Sequence, residues 1–264
     1  MSLTMKPGPL AGRKPQNTNY RIDGPAHLLL MHDFPRRVRA VLAGETVLDT
    51  VDGKLLHETG LLPQIYVPLD DVRQELLKPT EHHTHCPFKG TASYWSVVAG
   101  QRTAENAVWA YPEPNPESKW LRGYAGLYWQ SMDQWYDEDE PVLGGLRDPF
   151  HRVDVRESSR HVRVSARGQV VAETDRPRVL SETGLPSRFY VPPDDVRRDL
   201  LSPSDTRTVC PYKGTASYWS VAADGRILPD AVWSYPEAEG DSAKARGYLC
   251  FDHDDITVEV GPPR

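Results

Sequence analysis

The chain of 264 residues carries 31 Lys+Arg against 37 Asp+Glu, a net charge of −6, so no global basic field exists to condense onto phosphate backbones and nucleic acid is disfavoured as a partner. The 24 prolines fix φ and remove backbone donors, which argues against long helices, while a 39% hydrophobic share is enough for a packed core. No run approaches the roughly 20 apolar residues that span a bilayer, and the start lacks the apolar stretch of a signal peptide, so a cytoplasmic protein without membrane contact is expected.

In chain order, residues 1–26 are proline-rich and read as an N-terminal arm. Val38–Leu42 and Val47–Thr50 have strand character around Gly44, and Tyr66-Val67 is a short extended piece closed by Pro68. Acidic residues open the segment Asp70–Leu77, where Val72, Leu76 and Leu77 have the spacing of one short helix. Ser93–Val98, Val108–Tyr111 and Tyr124–Trp129 then read as strands. The same elements return after a shift of 124 residues, and 58–124 matches 182–248 at 38 of 67 positions without a gap. The chain is therefore a tandem duplication, with units at 27–130 and 151–254, an acidic, Gly-punctuated linker at 131–150 and a tail at 255–264.

The motif C-P-[FY]-K-G-T-A-S-Y-W-S-V holds the best candidates for chemistry in both units. Lys89 and Lys213 are long charged residues kept among small and aromatic ones. Cys86 and Cys210 lie three positions before them, where an ammonium favours thiolate. Glu58 and Glu182, in the repeated Glu-Thr-Gly, are candidate general acids or bases. Strand alternation puts Tyr94 and Trp95 on opposite faces, and likewise Tyr218 and Trp219. Trp109 with Tyr111, and Trp233 with Tyr235, each share a face, so one member of the preceding pair completes an aromatic wall for a small-molecule ligand. Asp71 and Arg73, with Asp195 and Arg197, are further binding candidates. His82, His83, His85 and Cys86 suit zinc by type. Their counterparts Thr206, Arg207 and Val209 do not, so no metal is assigned, and a solvated histidine-rich loop is expected there. No phosphate-loop or serine-elbow pattern occurs, and no cofactor is assigned.

Through D-D-V-R-x-x-L-L, the Cys-Pro motif and A-V-W-[AS]-Y-P-E, both units resemble the domain-of-unknown-function 427 family, which also carries a nucleotidyltransferase-like label. The resemblance covers most of the chain; the first unit departs from the second at its start, with Leu28–Met31 where the second has Arg152–Val155. It implies a mainly β, β-tent-like fold, so with the duplication and the helical spacing at Asp70–Leu77 the chain is expected to form two small β-rich domains, each with one short helix, related by a pseudo-twofold. It implies no settled activity. The nucleotidyltransferase label lacks the metal-holding carboxylates and phosphate loop that such chemistry needs. The residues favour an enzyme acting on a small polar metabolite, with a binding module for a small molecule or modified side chain as the alternative. Intramolecular pairing of the two repeats is expected, because symmetric twofold association is common. Trp120, Trp129, Trp135 and Tyr136, absent from the second unit, are expected to form an apolar surface that contacts the other copy or the linker.

Overall fold

A computed structural model describes residues 25–263, so all but the end of the 1–26 arm lies outside the described residues. Contacts divide the chain into two compact units between Phe150 and His151. Both are mainly β.

The first unit runs β1 (Leu29–Asp33), β2 (Val38–Leu42), β3 (Glu45–Thr50), β4 (Lys54–Glu58), β5 (Gln64–Pro68), β6 (Leu77–Cys86), β7 (Gly90–Ala99), β8 (Arg102–Ala110), β9 (Tyr124–Leu127), β10 (Gln134–Asp137) and β11 (Glu140–Val142). Seven of these form an antiparallel sheet in the order β1-β4-β5-β9-β8-β7-β6, and the other four form β11-β10-β2-β3. The second unit repeats the scheme with β12 (Val153–Glu157), β13 (Arg160–Ala166), β14 (Gln169–Thr174), β15 (Arg178–Glu182), β16 (Arg188–Val191), β17 (Leu201–Cys210), β18 (Gly214–Ala223), β19 (Arg226–Ser234), β20 (Leu249–Phe251) and β21 (Ile256–Pro263). Its sheets are β12-β15-β16-β20-β19-β18-β17 and β14-β13-β21.

Both faces of the large sheet are buried, which is why its strands contain apolar neighbours rather than a strict polar alternation. Adjacent residues go to opposite sides: Leu55, Val67, Trp95 and Val108 join one cluster with Val38, Ala40 and Leu48 of the small sheet, while Leu56, Tyr66, Tyr94 and Trp109 join another. The second unit divides in the same way.

The helix expected at Asp70–Leu77 takes the form of two 3-10 turns, Leu69–Asp71 and Gln74–Leu76. Val72 separates them because it is extended, fully buried and bridged to Leu48 of β3, while the Arg73 amide donates to the Val47 carbonyl at 2.8 Å. The histidine-rich stretch is solvated as expected, but it is a strand, not a loop: β6 pairs with β7 up to Cys86↔Gly90, leaving His82, His83 and His85 exposed on the sheet edge. The stretch read as a linker supplies β10 and β11, and the tail supplies β21. Ladder pairing explains both: Trp135↔Ala40 extends the first small sheet, and Val164↔Val258 the second. Of the extra aromatics, Trp129 packs against the stretch read as a linker, which is the second of the two contacts expected of them, while Trp120 is exposed. Trp129 stacks on Trp135 at 4.6 Å, Trp135 is buried, and Tyr136 lies under the Arg39 guanidinium.

Gly126 of β9 carries the closest approach in the first unit, since a Cβ there would lie 2.3 Å from the Trp109 ring. The equivalent residue is Cys250, and Trp233 is correspondingly less buried than Trp109. Gly126→Ala is expected to lower the stability of the first unit by about 1–3 kcal/mol through overpacking, read as a lower midpoint in thermal unfolding.

Candidate functional site

Glu58 ends β4, and Lys89 sits in the tight turn that leads from β6 into β7. That turn needs glycine at its exit: Gly90 has φ +103°, and a Cβ on it would meet the Glu113 carbonyl at 3.1 Å. The Asn115 amide donates to the Lys89 carbonyl at 3.1 Å, and its side chain donates to the Pro87 carbonyl at 2.8 Å, so the turn is pinned from outside the sheet. Three strands separate β4 from β7, a distance of roughly 19 Å across a flat sheet. Yet the Lys89 ammonium donates directly to Glu58 Oε2. The sheet is therefore strongly curled, and the ion pair closes the gap between its ends.

The other carboxylate oxygen of Glu58 accepts from His27 Nε2 at 2.9 Å, and the His27 ring stacks on Phe88 at 3.7 Å. His27 reaches Glu58 because β1 lies against β4 in the register Leu29↔Glu58. The second unit rebuilds the set: Lys213 donates to Glu182 Oε2 at 2.5 Å, His151 Nε2 lies 3.1 Å from Glu182 Oε1, and the His151 ring packs on Tyr212. In both units the histidine precedes the glutamate by 31 residues, and the glutamate precedes the lysine by 31. Burial alone would raise the Glu182 carboxyl, but the His151 hydrogen bond and the Lys213 ammonium outweigh it and hold the carboxyl down at about 2. Such a group stays ionised at neutral pH. It orients its partners and does not itself carry protons.

Beside this centre lies the aromatic wall. Tyr66, Tyr94, Trp109 and Tyr111 form one cluster with half-buried Cys86 against it, and Trp109 Nε1 donates to the Tyr66 hydroxyl at 3.1 Å. Burial pushes the Tyr66 and Tyr111 hydroxyls above the ordinary phenol range, so both are neutral donors. In the second unit Tyr190, Tyr218, Trp233 and Tyr235 repeat the wall with Cys210, and Lys213 Nζ lies 5.8 Å from the Tyr235 ring centre. Trp95 and Trp219 are absent from both walls, because strand alternation turns them to the opposite face. Tyr94 and Tyr218 are thus the pair members that join.

Asp71, Arg73, Asp195 and Arg197 are not gathered with these groups. Asp71 accepts from the Thr50 hydroxyl at 2.5 Å, Asp195 accepts from Thr174 and Arg176, and Arg73 and Arg197 pair with neighbouring Glu75 and Asp199. They fasten the 3-10 turns to the small sheets. The three cysteines are free, and burial raises the Cys250 thiol to about 12, which keeps it protonated. The candidate residues that the sequence missed are His27 and His151. Their trace was present in the 124-residue register, which pairs them although little around them matches. His32, His57 and Asp148 also gather, with one candidate ligand atom from each within 4.8 Å of the others.

Two clefts occupy corresponding places. One is lined in part by Asp33, Lys54 and Tyr124, the other by Glu157, Arg178 and Tyr248. Among the described residues, no helix is long and apolar enough to cross a membrane.

A curled sheet backed by a small one, built twice around a buried His–Glu–Lys centre, defines a tandem-repeat β protein. Residues 30–138 and 154–261 each match the family described as a domain of unknown function (DUF427), and the chain belongs to that family as a tandem copy. Comparison with curated proteins finds no match.

Lys213→Met leaves a buried carboxylate without its cation and is expected to cost roughly 3–5 kcal/mol, whereas the double change Glu182→Leu, Lys213→Met recovers most of that. Denaturant unfolding of the two variants measures both. The Glu182 carboxyl titrates at about 2 when folded, against 4.5 for the ordinary group. Its folded-state pKa is depressed, so its contribution to stability is fully present above about 4.5 and is lost as pH falls towards about 2. In pH-dependent thermal unfolding, Glu182→Gln is expected to flatten the acid slope in that window.

Proposed function

We propose that the protein is an enzyme acting on a small polar metabolite at the His–Glu–Lys centre. What supports this is the centre's duplication. A buried ion pair is seldom more stabilising than an apolar pair of similar volume, yet both repeats keep the same three groups at the same spacing. A carboxylate can only accept, so the neutral His27 ring donates from Nε2 to Glu58 and presents Nδ1 as the base, which is the orienting role a carboxylate plays in a hydrolytic triad. The His27 side chain is 23% exposed, while that of His151 is 0% exposed, so the base is assigned to the first repeat. Lys89 donates to the other Glu58 oxygen, and the tyrosine hydroxyls supply neutral donors for a polar substrate.

A binding role is the second reading. It is favoured by the closed wall, in which Trp109 and Tyr111 are 8% and 6% exposed. Nucleotidyl transfer gains nothing from Asp70 and Asp71, because Asp71 is tied to Thr50.

The test is untargeted mass spectrometry of a soluble metabolite extract incubated with the wild-type chain and with His27→Gln. Loss of a general base slows turnover by about 10²–10⁴-fold, so a compound consumed by wild type is expected to persist with the variant, whose folding is checked by circular dichroism. A compound retained but chemically unaltered supports the binding role instead. No compound bound or altered refutes both.

A further inference from the structure

His57 is the penultimate residue of β4, one before Glu58, and strand alternation sends it to the side away from the His–Glu–Lys centre. It is fully buried, and Asp148 beside it is 4% exposed. His32 comes from the neighbouring strand β1 and lies diagonally across the β1–β4 ladder, where Leu30↔His57 and His32↔Leu55 are the paired positions. The two Nε2 atoms face each other at 2.7 Å.

Proton counting makes this arrangement informative. His32 Nδ1 lies 2.8 Å from the Asp33 carbonyl, which can only accept, so Nδ1 carries the proton and Nε2 of the neutral ring is a bare lone pair. If His57 donates to that lone pair from its own Nε2, its Nδ1 becomes a second bare lone pair, buried without a hydrogen-bond partner and facing an Asp148 oxygen at 3.8 Å. A protonated Nδ1 fares little better, since 3.8 Å is beyond hydrogen-bonding reach. A cation between the rings resolves the conflict. It takes both Nε2 lone pairs, and each Nδ1 then carries its proton outward, His32 towards a backbone carbonyl and His57 towards a carboxylate. These are the outer partners that fix metal-bound imidazoles.

We propose that His32 and His57 bind one divalent transition-metal ion of the zinc, cobalt or nickel class, with Asp148 as the outer partner of His57, at a site separate from the His–Glu–Lys centre. Two imidazole donors select this class over magnesium or calcium, which prefer all-oxygen shells. With metal–nitrogen bonds of about 2.0–2.1 Å, tetrahedral ligands sit about 3.3 Å apart, so the rings part by about half an ångström to admit the ion. Asp148 is held by the Phe150 amide, which donates to its Oδ1 at 2.8 Å, and the Phe150 ring covers both imidazoles at 4.9 and 5.7 Å. His32 is half-buried and lines a cleft of about 410 Å³, which gives access from solvent. The two imidazole ligands leave the remaining coordination positions open.

The site belongs to the first repeat alone. The positions corresponding to His32 and His57 are Arg156 and Ser181, and Asp148 lies beyond the matched family segment 30–138. The second repeat therefore supplies substitutions that the same fold tolerates. The full chain is stripped with chelator and titrated with Co²⁺, then with Zn²⁺ in competition. One Co²⁺ per chain is expected, with visible ligand-field bands that Zn²⁺ removes. His32→Arg and His57→Ser each remove a ligand and are expected to weaken binding by more than about 100-fold, and Asp148→Asn, which changes an outer partner, by about 10–100-fold. The exposed set His82→Ala, His83→Ala, His85→Ala is expected to leave it unchanged. Circular dichroism identifies any variant that fails to fold, and the folded variants then decide the outcome, His32→Arg foremost because its side chain is only half-buried. Absence of stoichiometric binding, binding that survives His32→Arg and Asp148→Asn, or binding lost with the exposed histidines overturns the proposal.

Discussion

The buried ion pair between Glu58 and Lys89, and its copy between Glu182 and Lys213, is the constraint on which the rest of each domain depends. It joins residues from strands that a flat sheet would hold far apart, so the sheet must curl for the pair to form. Curling leaves a concave side that must be filled, and the tyrosines and tryptophan of β5, β7 and β8 fill it. The convex side takes the small sheet. Desolvating two charges is costly, and here the cost is offset because each carboxylate oxygen has its own donor, lysine on one and histidine on the other. A third member is thus part of the ion pair's stability as well as a candidate for chemistry.

Much of the architecture was legible in the sequence because duplication supplies an internal control. Strand alternation around Tyr94-Trp95 correctly separated two faces, and the ungapped register marked lysine, glutamate and cysteine as one set. Other features were hidden for identifiable reasons. β6 reads as a loop because it is an edge strand, whose exposed positions carry histidine, threonine and glutamate in place of an apolar face. β10 lies in a segment whose acidic, glycine-marked composition signals a linker, and only its ladder with β2 reveals a strand. The His–Glu–Lys centre was two-thirds visible. Its histidine lies at the poorly matching start of each unit, and contact across the curl has no local signature. The His32–His57–Asp148 cluster was invisible because its members come from unlike segments and occur once.

The two copies show how one substitution redirects a neighbourhood. Gly126 lets the Trp109 ring lie flat over β9, where it meets Tyr128 at 4.6 Å. Cys250 fills that space in the second copy, and Trp233 is instead faced by Arg188, itself paired with Asp252 at the position of Tyr128. The same backbone thus carries an apolar closure in one repeat and a charged one in the other. The surroundings of the aromatic cluster differ between the repeats without any change in the ion pair that shapes both.

The outermost strand β6 bears on how the protein behaves in a crowded solution. A ten-residue edge is a template on which another chain's strand can add. Here the ladder to β7 is broken between Pro79 and His83, leaving a run of three pairs and another of four. Pro79 also lacks an amide to offer, and β17 repeats both devices, with Pro203 before the same break. An incoming strand meets an interrupted row of donors and acceptors along both repeats. The duplication, which doubles the number of vulnerable edges, has kept the irregularity that guards each one against self-association.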